Sequence, residues 1–150
     1  MIIDSFDGEF AFLSNFYEQP NLITDEMNIA YPTVEHYFQA AKTLDKNERK
    51  RISILDTPGK AKRAGRRVTL RSDWEEVKTD VMRRALMKKF SDPLMKARLL
   101  ETGDAELIEG NHWHDNVWGS CQCPNCQNTG ENRLGKLLME IRKSLKEVEE

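Results

Sequence analysis

YPTVEHYFQAAK, residues 31–42, is the stretch on which the reading of this chain turns. Pro32 prevents an earlier helix start, and the Thr33 side chain can cap the free N–H groups ahead of it, so a helix is expected from Thr33. Val34, Tyr37, Phe38 and Ala41 recur at i, i+3, i+4 and i+7, the spacing of one buried stripe. Glu35, Gln39 and Lys42 then share the neighbouring face, which meets the core at its edge, where a pocket can form.

Upstream, IIDSF, EFAFLSNF, NLITD and NIAYP mix β-type residues with turn formers. They read as extended segments, with a hairpin across residues 21–32 that turns at Asp25-Glu26. Downstream, Thr57-Pro58 is a cap followed by a first-turn proline and opens a basic helix toward Arg67. Ser72 with Glu75 three residues on has the capping-box pattern, and Trp74, Val77, Val81, Ala85 and Phe90 carry an apolar side to about residue 90. Asp92-Pro93 opens another helix, closed by Gly103. A last one runs from Glu131 to Val148 with Leu134, Leu137, Leu138, Ile141 and Leu145 inward, its acidic end EVEE expected to fray. A short strand is expected at Glu106–Glu109. Together these elements make a mainly helical chain with a small N-terminal β element, and residues 1–150 suit a single domain.

Composition narrows the functions open to such a domain. With 39% hydrophobic and 32% charged residues the chain is ordinary for a globular protein, and its 150 residues suit one core. No run approaches the roughly 20 apolar residues of a membrane span, and MIIDSFDGEF lacks the pattern of a leader. A cytoplasmic protein without a membrane partner is expected; the oligomeric state is left open. A net charge of -2 argues against DNA binding through bulk electrostatics. Lys60, Lys62, Arg63, Arg66, Arg67 and Arg71 are nonetheless dense enough to contact phosphates, or else form a solvated helix face.

Three clusters carry the polar and aromatic chemistry: SNFY at residues 14–17, the 33–42 helix, and NHWHDNVWG at residues 111–119. Aromatics interleaved with amides and carboxylates suit a site that stacks a flat base and hydrogen-bonds a sugar. Singly, each has a plain structural reading. In order, SNFY, YPTVEHYFQAAK, RSDWEEVKTDVMRRALMKKF, HDNVWG and GENRLGKLLMEIR resemble the NADAR family of N-glycosidases from about residue 6 to 143. The resemblance implies an α+β, mostly helical fold and hydrolysis of bonds between ribose and a nitrogenous base. Two substrate groups follow from it: phosphorylated ribosylamino intermediates of riboflavin synthesis, and guanine carrying ADP-ribose, in DNA or as a nucleotide. The family's functional Glu, Trp and Asp fall on Glu35, Trp74 and Asp115, and Lys42 matches the lysine that ends the helical motif. Asn15, Phe16, Gln39, Trp118, Gly119 and Asn132 are the accompanying substrate-binding candidates. Gly135 serves either the site or close helix packing.

The roles are chemically sensible. Cleaving a C–N glycosidic bond develops positive charge on the ribose, which a carboxylate stabilises while orienting or deprotonating water; Glu35 is the first choice. Asp115 would protonate the departing nitrogen or bind ribose hydroxyls. Trp74 would stack the base. Lys42 would lower the pKa of Glu35, bind phosphate, or attack the opened sugar as an amine. No cofactor is required for such a hydrolysis.

CQCPNC, with Cys121, Cys123 and Cys126, departs from this family pattern as an insertion over about residues 120–129. An odd number of thiols within six residues argues against a disulfide framework. Free or adventitiously metallated thiols are the favoured reading, and the alternative is a structural zinc whose fourth ligand is His112 or His114. Two competing functions remain: a zinc-knuckle-like module that binds nucleic acid through residues 60–71, and an ADP-ribose reader without catalysis.

Overall fold

The computed structural model describes residues 1–149. They form two compact units, one of Asn15–Asp92 and the other of Met1–Ser14 together with residues from Pro93 onward. Few residues lie in strands and most of the ordered chain is helical, the α+β class expected.

The Asn15–Asp92 unit opens with the expected hairpin: β2 (Ile23–Thr24) pairs antiparallel with β3 (Ala30–Tyr31), Ile23 opposite Tyr31. Asp25 holds the turn, its Oδ1 accepting from the N–H groups of Met27 and Ile29. Helix α1 (Val34–Ala40) follows, capped as expected by Thr33, whose hydroxyl accepts from His36 N–H. Every residue of α1 is buried. It packs against β3, α2 (Lys46–Ser53), α3 (Pro58–Ala64) and α4 (Trp74–Lys89), so neighbours cover both its apolar stripe and its polar face.

Helix α2 is absent from the sequence reading. KNERKRIS offers little apolar periodicity, and what holds the helix is polar. The Asp45 carboxylate caps Asn47 and Glu48 N–H, and fully buried Arg49 pairs with Asp25 at 3.1 Å and Glu26 at 2.6 Å while donating to Thr43 O. Tyr31 also donates to Asp25 at 2.6 Å, so the carboxylate is shared between hairpin and helix. Helix α4 starts at Trp74, one residue later than a Ser72 cap would place it. Asp73 occupies the cap position but gives its carboxylate to the Arg71 guanidinium, so the expected capping box does not form.

In the other unit, β1 (Ile2–Ile3) lies parallel to β4 (Glu106–Leu107), and β5 (Gly110–Asn111) lies parallel to β6 (Ser120–Cys121). The segment EFAFLSNF corrects an expectation: instead of extending, Gly8–Leu13 coils into a 3-10 helix that buries Phe12 and Leu13. Gly8 enters it at φ +54, and the Arg98 guanidinium sits 4.3 Å from the Phe12 ring centre. Helix α5 (Pro93–Glu101) ends before Gly103 at φ +63, as its glycine predicts. Helix α6 (Arg133–Glu149) packs on α5 and β4, with Leu134, Leu137, Leu138 and Ile141 buried. It continues through most of the acidic end expected to fray; Glu150 lies outside the described residues. Among the described residues no helix is long and apolar enough to cross a membrane.

Candidate functional site

Glu35 sits in the first turn of α1, 7% exposed, where the backbone N–H donates to Asn15 O at 3.0 Å. That bond ties the SNFY segment to the helix and gives an otherwise free N-terminal donor a partner. One turn on, Gln39 Nε2 donates to Glu35 Oε1 at 2.7 Å. Gly65 follows α3, and a Cβ there would collide with the Gln39 amide, so glycine is what lets the chain pass. Gln39 is thus held between Glu35 and the end of α3. Its Oε1 and the Asn15 Oδ1 are buried without a hydrogen-bond partner, a cost of about 1–3 kcal/mol each unless a ligand donates to them.

Lys42 is half-buried just beyond α1. Burial lowers its pKa below that of an ordinary lysine; the Glu35 carboxylate raises it partway back, and the positive charges of Arg66 and Lys62 lower it. The charges of Glu35, Arg66 and Lys62 thus all reach Lys42, Lys62 and Arg66 themselves lying exposed in the basic stretch 60–71. Arg71 supports this end of α1 from behind: its N–H donates to Lys42 O at 2.8 Å. Trp74, the residue after the Arg71–Asp73 pair, is 6% exposed and packs against Phe38, ring centres 5.0 Å apart at 59°. Asn15 is buried in the same unit, donating to Met82 Sδ at 3.5 Å, while Phe16 is 44% exposed.

The neighbouring His36 is structural. Its Nε2 lies 2.9 Å from Leu55 O, which can only accept, so Nε2 carries the proton and Nδ1 accepts from the Thr33 hydroxyl at 2.7 Å. Burial lowers its pKa, with Leu55 O the main opposing influence.

The second group of expected residues lies in the other unit, in the loop between β5 and α6. Asn111 organises it: Oδ1 accepts from Trp113 and Asp115 N–H, and Nδ2 donates to Asp115 O at 2.9 Å. Asp115 Oδ1 in turn accepts from Val117 and Trp118 N–H. The carbonyls of Val117 and Trp118 then receive the N–H groups of Arg133 and Leu134, so the loop caps the start of α6. A Cβ on Gly119 would collide with Glu109 O, which explains the glycine. Asn132, at φ +51, spends its side chain on backbone: Oδ1 accepts from Glu109 N–H and Nδ2 donates to Leu107 O. At Gly135 a Cβ would meet Leu107 O, so close packing accounts for that residue.

In the same loop Cys121, Cys123, Cys126 and His114 gather, their ligand atoms within 4.8 Å of one another. Such a group can bind a metal, and the neighbouring histidine in it is His114, not His112. The Cys126 N–H, 3.4 Å from Cys123 Sγ, is the main influence drawing that thiol's pKa down to about 6.

The sequence thus pointed to Glu35, Gln39, Lys42, Trp74 and Asn15, which one unit holds, and to Asp115, Trp118, Gly119 and Asn132, which the other holds. It missed Gly65 and the organising role of Asn111. An asparagine followed four residues later by aspartate, inside a loop rich in turn formers, was the available signal for the latter.

Residues 4–146, spanning both units, match the NADAR domain family. The N-glycosidase YbiA of Escherichia coli is 40% identical over 144 residues, 94% of this chain and 85% of that protein. The NMR structure of E. coli YbiA superposes with a TM-score of 0.81 at 38% identity, covering 99% of this chain and 86% of that one. A riboflavin biosynthesis protein of Vibrio vulnificus is 35% identical over 145 residues, 94% of this chain but 37% of that protein. With its helical architecture, its buried Glu35 and this match over nearly its full length, the chain belongs to the NADAR family.

Proposed function

We propose that this N-glycosyl hydrolase cleaves the bond between a phosphate-bearing ribose and a nitrogenous base or amine, with Glu35 as the central carboxylate. The observation that carries the reading is the constellation around α1: a buried carboxylate, hydrogen-bonded to Gln39, electrostatically linked to Lys42 and through it to Lys62 and Arg66. A carboxylate beside positive charge suits a substrate that is cationic at the reacting ribose and anionic at its phosphates.

In the proposed reaction the C1′–N bond breaks with its electron pair leaving on nitrogen, and a water oxygen bonds to C1′. Glu35 stabilises the developing oxocarbenium charge and takes the water proton, which returns to the departing nitrogen or to solvent. The step is a hydrolysis without electron transfer, so its balance calls for no redox cofactor. Of the roles open to Lys42, phosphate binding draws support from the adjacent Lys62 and Arg66. Its lowered pKa favours the amine role as well. The unpartnered Asn15 Oδ1 is an acceptor for a sugar hydroxyl or a base amino group. Trp74 has both a packing role against Phe38 and, by resemblance, a base-stacking one. For Asp115, the two N–H groups on Oδ1 favour a loop-holding role over proton donation. Trp118, Gly119 and Asn132 would act with it by shaping the loop.

The names of the relatives favour a small ribosylated substrate, and a riboflavin-pathway ribosylaminopyrimidine phosphate is the first to test. Pure protein is incubated with that compound and, separately, with guanine-ADP-ribosylated DNA, and released base or sugar is measured. Turnover of the first alone assigns the metabolic role, and turnover of the DNA assigns removal of ADP-ribose. Binding of ADP-ribose with no release from either substrate would overturn the enzymatic reading in favour of a reader.

A further inference from the structure

We propose that His114, Cys121, Cys123 and Cys126 form a closed Cys3His zinc site that clamps the β5–α6 loop. The geometry carries it. His114 Nδ1 stands 3.6, 3.6 and 3.5 Å from the Sγ atoms of Cys121, Cys123 and Cys126. With zinc–sulfur bonds near 2.3 Å and zinc–nitrogen bonds of about 2.0–2.1 Å, the sulfur–nitrogen edge of a regular tetrahedron is about 3.6 Å. Three separate edges meet that value. A chance gathering of thiols would not place one ring nitrogen equidistant from three sulfurs. The thiols are all free, so no pair is removed from the set by a disulfide.

The local chain is shaped to the same end. Cys123-Pro-Asn-Cys126 turns so that Cys126 N–H points at Cys123 Sγ, a donor that stabilises a thiolate ligand. Cys121 is fully buried at the end of β6, its N–H held by Asn116 Oδ1 at 2.8 Å. His114 at φ +67, Gln127 at +52 and Asn128 at +57 wrap the chain around the cluster. Four protein ligands leave no open position, so the metal is structural and does not activate water. Thiolate-rich tetrahedral coordination with one imidazole selects zinc over the oxygen-seeking cations.

His114 and Cys121 flank the segment of Asp115 to Ser120, so the ion closes that segment into a short ring. The same segment sends its carbonyls to the first N–H groups of α6 and carries the Asp115 carboxylate that fixes Val117 and Trp118. Binding of the metal is thereby coupled to the order of the whole loop and of the helix start.

The test uses the untagged full chain, purified without chelator, and none of its readouts involves turnover. Elemental analysis should find about one zinc per chain. His114→Ala and Cys123→Ser should each lower this at least about tenfold, whereas His112→Ala should retain it. Cobalt added to the metal-free wild-type protein should give the visible bands of a tetrahedral cobalt thiolate, a readout that stands even where a cysteine variant fails to fold. Stripping zinc should speed amide exchange at Val117, Trp118 and Leu134. Wild-type protein without zinc, iron in its place, a cobalt complex lacking thiolate bands, or equal metal loss in His112→Ala and His114→Ala would each overturn the proposal.

Discussion

The helix α1 region and the β5–α6 loop hold expected functional residues by opposite means. Around α1, position is enforced by burial: seven consecutive helical residues are enclosed by β3 and three helices, and Glu35 and Gln39 are held by that packing and by their mutual hydrogen bond. In the loop there is little apolar packing. Asn111, Asp115 and Asn132 instead bind backbone N–H and C=O groups one by one, with the proposed zinc closing the set. The first setting holds a carboxylate by packing and a side-chain partner, whereas the second spends its side chains on backbone groups to hold shape.

The sharpest way to break this contrast is Glu35→Gln. The substitution keeps the acceptor that Gln39 Nε2 uses and removes the charge. Turnover should fall by about 10²–10⁴-fold while melting temperature and substrate affinity stay close to wild type. Full activity would remove Glu35 from the mechanism and make Asp115 the next carboxylate to test. Next in size is Trp74→Ala, where loss of the Phe38 contact should cost about 3–5 kcal/mol in thermal or denaturant unfolding. If unfolding hardly changes and only substrate binding weakens, by about 1–3 kcal/mol, then Trp74 is a stacking wall and not part of the packed shell.

Those two residues also show what could be read in advance. The helix around Glu35 was legible because its signals are local: a proline, a threonine cap and a 3.6-residue stripe. The hairpin, α3, α5 and α6 were legible for the same reason. Helix α2 was not, since its stability comes from Arg49 reaching Asp25 and Glu26 some two dozen residues away, which no window over KNERKRIS contains. EFAFLSNF reads as extended because aromatic and aliphatic residues such as Phe10, Phe12 and Leu13 near a glycine fit a strand and a 3-10 turn equally well. In the site, residue types and spacing identified Glu35, Gln39 and Lys42, but the electrostatic link to Lys62 and Arg66 needs the path of α3. The choice of His114 over His112 needs the left-handed backbone at residue 114.

A smaller effect tests the loop half of the comparison. Asn111→Ala removes three side-chain hydrogen bonds to Trp113 and Asp115 from a residue 1% exposed, and should cost about 1–3 kcal/mol. Amide exchange should rise in residues 111–119 and not in α1. A uniform rise across both regions would mean that the loop is not held separately.

Smallest is a pH effect on the α1 side. His36 is neutral in the fold, with its pKa lowered by burial, so the unfolded chain binds more protons between the lowered value and about 6.5. Its contribution to stability is complete above pH 6.5 and is lost as pH falls through the folded value. The slope should not exceed about 1.4 kcal/mol per pH unit. Melting curves from pH 8 to 5 should show that dependence in the wild-type protein and a flatter one in His36→Asn. Equal slopes would assign the acid sensitivity to another group.

The parallel pairing of Ile2 and Ile3 with Glu106 and Leu107 joins residues roughly a hundred positions apart. During synthesis the first strand emerges long before its partner exists, so it must wait without a ladder while residues 15–92 acquire their own core. Contacts of such sequence separation slow folding more than they weaken the native state. Because closure entropy grows only logarithmically, doubling the intervening length would cost about 0.6 kcal/mol. The surface turns within residues 15–92 can therefore gain or lose residues at small thermodynamic cost, while the timing of assembly stays set by the arrival of β4.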